Sequence, residues 1–421
     1  MSRRSLDFTP ASGTCLALSG SLLGVCTILP TMRVHLFGLL LTLVTSAPAQ
    51  SSLPTATPWQ MQDSGTTAGL RGIDSVDGMI AWASGTGGTV LKTVDGGAHW
   101  TKCAVPDAAT DGATLDFRGV QAFDAQTAIV MASGPGEKSR LYKTTDGCGT
   151  WKLVFKNPEK AGFWDAMQIT GPKTGLMIGD PLPKTEFSRL RLKRYFHFPL
   201  YGTRDGGDSW TRLDNGEFFA VSDENGKPAQ SIFAASNSSL LETAHHQWIL
   251  FVVGGKQASM ELLEFIDKPN SAICQHACTV TGGAALPLSS GPTSGGFSLA
   301  VRGGRSKSPV LITVGGDYSQ PQKTDGTAAT CLRNANELLS TIFKCEASDV
   351  PPHGYRSAVQ WSEPLKLWIT VGTNGSDISR DDGKTWQPLD NGNWNALSLP
   401  FVVGPGGRIA KLDAAALGSA K

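Results

Sequence analysis

Apolar residues along this chain come in short, strand-length runs separated by glycine-rich turns, and regular helical patterning is scarce. That pattern predicts an all-β chain of many short strands. One arrangement recurs seven times. An aromatic residue or leucine opens a small-residue segment at Leu70, Phe117, Phe163, Phe233, Phe297, Tyr355 and Trp394. Each is followed by a second strand ending in glycine, at Gly85, Gly134, Gly179, Gly254, Gly315, Gly372 and Gly404. Small residues suit the innermost strands of sheets that crowd a common axis. Seven such pairs predict a seven-bladed β-propeller. After Trp394 the chain supplies three strand candidates, 395–399, 400–404 and 407–412, and no fourth led by tryptophan. Pro58-Trp59-Gln-Met-Gln62 matches the outer-strand pattern of Thr385-Trp386-Gln-Pro-Leu389. An N-terminal strand is therefore predicted to complete the last blade and close the ring, removing an exposed edge.

A second repeat overlays the first. Thr93-Val-Asp95-Gly-Gly-Ala-His-Trp100 recurs around Asp146, Asp205 and Asp381, each time with a hydroxyl residue two before the Asp and a Trp five after it. The carboxylate can accept backbone amides within a tight turn, glycine supplies positive φ, and the Trp starts the next strand. The second copy carries Cys148 where the others have Gly. These four segments resemble Asp boxes, the bacterial-neuraminidase repeat of sialidases and of many non-enzymatic propellers. The resemblance implies a turn at the blade periphery rather than a catalytic role. The long interval before Asp381 leaves room for two units without the motif.

The 421 residues divide unevenly. A basic start near Met32, an apolar run from Leu36 to Val44 and Ala47-Pro48-Ala49 predict a signal peptide cleaved before Gln50, with residues 1–31 an upstream extension. The run is too short to span a membrane. Residues 50–413 form the predicted propeller and 414–421 a short tail, in a chain read as exported, periplasmic or secreted, and monomeric. The net charge of +1 gives no global field for nucleic acid. Six cysteines follow the cleavage site, and export favours disulfides. The local pairs are Cys331–Cys345 and Cys274–Cys278, which leaves Cys103–Cys148 joining neighbouring blades. Cys274-Gln-His276-Ala-Cys278 is also open to a metal-ligand reading, although no second ligand pair accompanies it.

Two regions break the repeat. Phe187 to Phe198 is basic and aromatic, and reads as a long third strand with a solvated basic face or as a docking strip for an acidic partner, through Arg189, Arg191, Lys193 and Arg194. Segments 267–294 and 317–352 read as long polar loops.

The axial mouth is the default ligand site of a propeller. The second position of the inner-strand pattern predicts a ring of Arg71, Arg118, Trp164, Ala234, Ser298, Arg356 and Asn395. Asp165, Asp180, Asn237, Asp317 and Tyr318 are expected near the same axis. Guanidinium groups there would take a carboxylate, a phosphate or a carbohydrate acid, or else pair with the acids to fill the channel. A sialidase-like glycoside hydrolase is the alternative, with the arginines on a substrate carboxylate and Tyr318 or Tyr355 beside Asp165 or Asp180. The Phe-Arg-Ile-Pro-type segment of those enzymes is absent and no Tyr–Glu pair stands out. No nucleophile elbow or phosphate-cradling loop is present, and no catalytic residue, metal or cofactor is assigned.

Phe163-Trp-Asp-Ala-Met, Ile178-Gly-Asp-Pro181, Phe233-Ala-Ala-Ser-Asn-Ser-Ser-Leu240, Val314-Gly-Gly-Asp-Tyr318, Gly354-Tyr-Arg-Ser-Ala358 and the four Asp turns together resemble the photosystem II stability/assembly-factor-like propellers. That resemblance implies an exported seven-bladed protein that binds partner polypeptides, partly through an arginine-rich face. The leading expectation is a non-catalytic propeller that binds a protein partner or anionic ligand axially and serves assembly or scaffolding.

Overall fold

A computed structural model describes residues 58–187, 192–213, 219–242, 248–265, 278–303, 309–333 and 343–417. The predicted leader and its cleavage site, Arg189, Arg191, Cys274 and His276 lie outside these ranges, and Lys193 and Arg194 are described by backbone alone.

Strands dominate, and the helical segments among the described residues are short 3-10 turns. None is long and apolar enough to cross a membrane. The first sheet contains Leu70–Ser75, Ala81–Gly85, Val90–Thr93 and Thr101–Lys102 as a four-stranded antiparallel meander. The second repeats this with Phe117–Ala122, Ala128–Ala132, Arg140–Thr144 and Lys152–Lys156. The third uses Trp164–Ile169, Gly175–Gly179, Leu200–Thr203 and Thr211–Arg212. A nine-stranded sheet follows, whose long path holds two successive meanders joined where Gly254 and Gly255 pair with Gly295 and Gly291. The penultimate sheet contains Ala358–Ser362, Leu367–Gly372, Gly375–Ser379 and Gln387–Asp390.

The closing sheet joins the two ends of the described chain. Ala396–Ser398, Phe401–Val403 and Ile409–Leu412 fall inside the three predicted windows, and Trp59–Gln62 pairs antiparallel with the last of them, Trp59 opposite Leu412. Trp59 is buried, tilts against Trp394 at 6.1 Å and donates its indole N–H to Ser376 Oγ at 2.9 Å.

The core lies between sheets. Trp82 and Val90 of the first sheet pack with Phe117, Val130 and Tyr142 of the second. Ile129, Met131 and Leu141 then face the third sheet at Trp164, Met177 and Tyr201. A central strand such as Ala-Ile-Val-Met-Ala at 128–132 is therefore apolar on both faces. On the opposite side of the first sheet, Leu70, Ala83 and Leu91 pack with Phe401, Val403 and Ile409 of the closing sheet. The glycines that end second strands have a specific cause. A Cβ at Gly85 would stand 2.3 Å from the Gly69 carbonyl oxygen, and one at Gly372 would stand 2.0 Å from that of Tyr355. The backbone of the inner strand crosses there, leaving no room for a side chain.

The four Asp turns share one hydrogen-bond pattern. Thr93 Oγ1 donates to Asp95 Oδ1 at 2.9 Å and accepts the Gly97 amide at 2.9 Å, while the His99 amide reaches Asp95 Oδ1 at 3.0 Å. Corresponding bonds hold Asp146, Asp205 and Asp381. The Thr150 hydroxyl and amide hold the Asp146 carboxyl down to about 2. Cys148 adopts φ 75°, the left-handed conformation that the other copies give to glycine, and forms a disulfide with Cys103. Cys331 and Cys345 stand opposite each other on adjacent strands and are also bridged.

Three sequence expectations change. The segment 187–198 does not form the third strand of its sheet, which is Leu200–Thr203. Instead Leu182–Phe187 and Leu192–His197 make a hairpin that pairs with Phe219–Ala220 in a separate three-stranded sheet. The expected loop 267–294 contains the strand Cys278–Ala285 and the start of Gly291–Arg302. The expected loop 317–352 contains Ala328–Arg333 and Phe343–Ala347. Their Gly, Thr and Ala residues hide the alternation, and pairing with long neighbours supplies the strand context.

Closure predicts a global effect. Trp59→Ala should lower the unfolding free energy by about 3–5 kcal/mol, the usual range for emptying a buried aromatic site. Removing residues through Gln62 should lower the midpoint of the whole transition in denaturant. A truncated chain that unfolds at the parental midpoint would show that the terminal strand is dispensable.

Candidate functional site

Four inner strands bulge at equivalent positions, one of them at Phe297, between Gly296 opposite Gly315 and Ser298 opposite Val314. Leu70 faces Gly85 and Gly72 faces Ser84, leaving Arg71 as the extra residue. The same break isolates Arg118 in the second sheet and Asp165 in the third. The expected ring therefore shifts by one residue in several sheets. Trp164 occupies the place of Leu70, fully buried and stacked on Phe155 at 5.3 Å. In the penultimate sheet Tyr355 O crowds Gly372 as Gly69 O crowds Gly85, so Arg356 also takes the Leu70 place. Phe297, by the contact of Gly295 O with Gly315, stands with Arg71, and Ser298 is buried behind it. Asn395 keeps its expected place and donates Nδ2 to Leu70 O at 2.7 Å. The opening residue varies from Gly69 and Asp116 to Phe163 and Tyr355. Aligning on the first aromatic residue consequently slides the frame.

Arg356 is sealed in a network. Its Nε donates to Asp377 Oδ2 at 2.6 Å and its Nη1 donates to Asn374 Oδ1 at 2.6 Å, with both the guanidinium and Asp377 fully buried. His353 Nδ1 lies 2.7 Å from the other Asp377 oxygen. Burial alone would raise Asp377, but hydrogen bonding from His353 and the Arg356 cation hold it below the usual carboxylate range. The three arginines needed by the sialidase-like reading are thus not brought together.

Arg71 and Arg118 do converge, on Asp116. Arg118 Nε donates to Asp116 Oδ2 at 2.9 Å, and Arg71 Nε stands 3.5 Å from Oδ1. Both arginine side chains are about one-third exposed, at 30% for Arg118 and 37% for Arg71. Arg118 also reaches Ala234 O at 3.3 Å and lies 5.9 Å from the Phe163 ring centre. Two cations share one anion here, leaving positive charge at the surface.

Beyond Ala234 the lining becomes aromatic. Phe233 and Phe297 stack at 4.1 Å, and Tyr318 stands edge-on at 6.1 Å from each while half exposed. Tyr355 meets Phe297 edge-on at 4.8 Å, and burial pushes its hydroxyl far above the ordinary phenol range. Asp317 serves its own turn: Thr293, Ser319 and Gln320 donate to it and, against the effect of burial, hold its carboxyl down to about 2.

Residues 233–239 lie outside the regular strands and tie several sheets together. Asn237 accepts the Met167 amide at 2.7 Å, Ser236 Oγ donates to Ser357 O at 2.7 Å, and Ser238 Oγ donates to Ser298 Oγ at 2.7 Å. Beneath Arg118, Asp165 is 1% exposed and its Oδ2 has no hydrogen-bond partner. Burial first, then Asp180, pushes its carboxyl well above the usual range despite Arg118. Burial also raises Asp180 to about 6, against the opposing effect of the Ile232 amide donated at 3.1 Å. Among the described residues no cluster of three or more metal-ligating side chains occurs.

No family model matches the chain, and no curated protein matches it. Solved structures do. A structure of YCF48 bound to a D1 peptide is 15% identical, covering 86% of this chain and 99% of its own, with a TM-score of 0.50. YCF48 from Cyanidioschyzon merolae is 19% identical, covering 84% and 98%, with a TM-score of 0.53. The fold is a β-propeller. At these identities the likeness carries the fold alone.

Two stability effects follow from this geometry. Arg356→Ala should destabilise the chain at neutral pH by about 3–5 kcal/mol, because it strands the buried Asp377 charge. Denaturant titration should show that deficit shrinking below about pH 4, as Asp377 becomes protonated. Asp180 has the opposite sign. Its raised folded value gives a stabilising contribution present below the unfolded carboxylate range and lost as pH rises through about 6. Asp180→Asn, which keeps the acceptor oxygen, should therefore stabilise the chain above pH 6 by up to about 3 kcal/mol and give no gain below pH 4.

Proposed function

We propose that this protein is an exported, non-catalytic seven-bladed propeller that binds a polypeptide partner at its axial face and serves in assembly. The observation that carries the reading is the continuous strip from Arg71 and Arg118 through Phe233 to Tyr318, which pairs unsatisfied positive charge with exposed aromatic surface. Such a strip suits a segment with an acidic side chain next to an apolar one. Asp165, Asp180 and Asn237 position it from below, while Trp164, Asp317, Arg356 and Asn395 support its walls. Arg189, Arg191, Lys193 and Arg194 of the basic segment 187–198 are assigned to a second, electrostatic contact with the same partner.

Several observations support the finer parts of this reading. Five four-stranded sheets and the two meanders of the nine-stranded sheet support the reading of seven blades. The shared bonds around Asp95, Asp146, Asp205 and Asp381 favour the Asp-box assignment. Two disulfides are compatible with an oxidising compartment. The similar YCF48 structure holds a D1 peptide, so the fold is suited to polypeptide ligands.

The test is fluorescence anisotropy with labelled peptides that place Asp or Glu beside Phe or Leu. The double variant Arg71→Ala/Arg118→Ala should weaken binding by about 10- to 100-fold, the scale of charged hydrogen bonds. Unchanged affinity would falsify the axial assignment. Fluorogenic sialosides should give no turnover, and turnover abolished by Arg118→Ala would instead favour the glycoside hydrolase.

A further inference from the structure

We propose that residues 232–239 are a strap across the axis, in which Ser236, Asn237 and Ser238 position Phe233 beside Arg118. The strap sets the spacing at which the axial site accepts an acidic and an apolar side chain, and in this it rests on the polypeptide-binding reading above. Strand register shows the excursion. Ser231 stands opposite Gly254 and Leu240 opposite Phe251, so residues 232–239 occupy a stretch where the partner strand has only Val252 and Val253. The surplus chain must leave the ladder, on a far larger scale than the one-residue bulges at Arg71 and Arg118. Its middle reads Ser236-Asn-Ser-Ser239, side chains that form local hydrogen bonds in place of ladder bonds.

Each anchor reaches a different part of the ring. Asn237 Oδ1 accepts the Met167 amide of the third sheet at 2.7 Å. Ser236 Oγ donates at 2.7 Å to Ser357 O, at the start of the penultimate sheet. Ser238 Oγ donates at 2.7 Å to Ser298 Oγ, which itself accepts the Val359 amide of the penultimate sheet at 3.0 Å. The Ser238 carbonyl takes the Leu299 amide at 3.0 Å. A segment meets sheets on both sides of its own, and one further round, only from the centre of a propeller. Asn237 also abuts the second sheet, where a Cβ on Gly119 would stand 2.9 Å from Asn237 Oδ1. Gly119 directly follows Arg118, and at the other end of the strap Arg118 Nη1 donates to Ala234 O at 3.3 Å. Residues 234–237 therefore hold Arg118 by its backbone neighbour and by its guanidinium. Phe233, next in the chain, stacks on Phe297 at 4.1 Å. Cation and ring are fixed on one short span, so a ligand that uses both needs its acidic and apolar groups close together.

Fluorescence anisotropy with two labelled peptides tests the strap, one with Asp next to Phe and one with the same residues separated by a Gly-Ser spacer. The full chain is compared with Asn237→Gly/Ser238→Ala. Asn237 sits at φ 63°, which glycine adopts freely, so the variant loses hydrogen bonds without gaining backbone strain. The unaltered chain should favour the adjacent pair by about tenfold, the scale of one charged hydrogen bond, and the variant should lose that preference. Equal affinity of the unaltered chain for both peptides, or a preference that survives in the variant, would overturn the spacing role. Amide exchange without peptide keeps this apart from failure of the axial reading. In the variant, protection of Ala235 and Leu299, which donate to Phe233 O and Ser238 O, should fall about tenfold relative to strand 128–132. Equal loss in both places would mark general destabilisation and overturn the strap, whether or not either peptide binds. Should the double variant fail to fold, Ser238→Ala alone is read in the same two ways.

Discussion

Burial on both faces of each sheet is the constraint on which the rest depends. Strands such as Ala128–Ala132 and Leu367–Gly372 are buried along their whole length, so neither face can be left to solvent. One neighbour covers only half of that surface. The second sheet needs the first at Trp82 and the third at Trp164, and the first needs the closing sheet at Phe401. A linear stack would end in two bare apolar faces, whereas a ring has none. The pairing of Trp59–Gln62 with Ile409–Leu412 is therefore part of the same physics as the core, and makes the closing sheet depend on both chain ends.

The peripheral turns reinforce this order by reaching sideways. Lys92 Nζ donates to Gly147 O at 2.9 Å, Lys143 to Gly206 O at 3.0 Å, and Lys411 to Gly96 O at 3.0 Å. Each ammonium group comes from one sheet and caps the Asp turn of the next. Arg302 does the same for Asp382 through a bidentate contact. The Cys103–Cys148 bridge makes one such junction covalent. The acidic repeat is thus a device for holding neighbours in register, which explains why its carboxylates are fully engaged within their own turns and are not presented to ligand.

Much of the architecture was legible because its signals are local. Turn glycines, small inner-strand residues and the Trp59 match to Trp386 identify the strands and the closing partner without long-range information. The axial ring was less legible. Its membership depends on which residue bulges, and that is set by a carbonyl meeting a glycine on the next strand, as Tyr355 O does at Gly372. A one-residue slip exchanges the buried and axial faces. It therefore turned Arg356 from an expected ligand group into the partner of Asp377, 21 residues away on another strand. Arg71 and Arg118 stayed in frame because Leu70 and Phe117 do occupy the position on which the pattern was aligned.

The axial region also departs from the economy of the walls. Asp74 is similarly buried and also raised to about 6, yet it receives the Ala122 amide and the Gln121 side chain, so it stitches two sheets together. Asp165 has no comparable set of donors, and its Oδ2 is left without one. An apolar or amide side chain in its place would avoid placing a second buried acid beside Asp180. A group that weakens the fold at neutral pH, next to surface cations and exposed aromatic rings, fits a site shaped by use rather than by stability. The contrast between these two carboxylates supports placing the proposed site at the axis rather than the periphery.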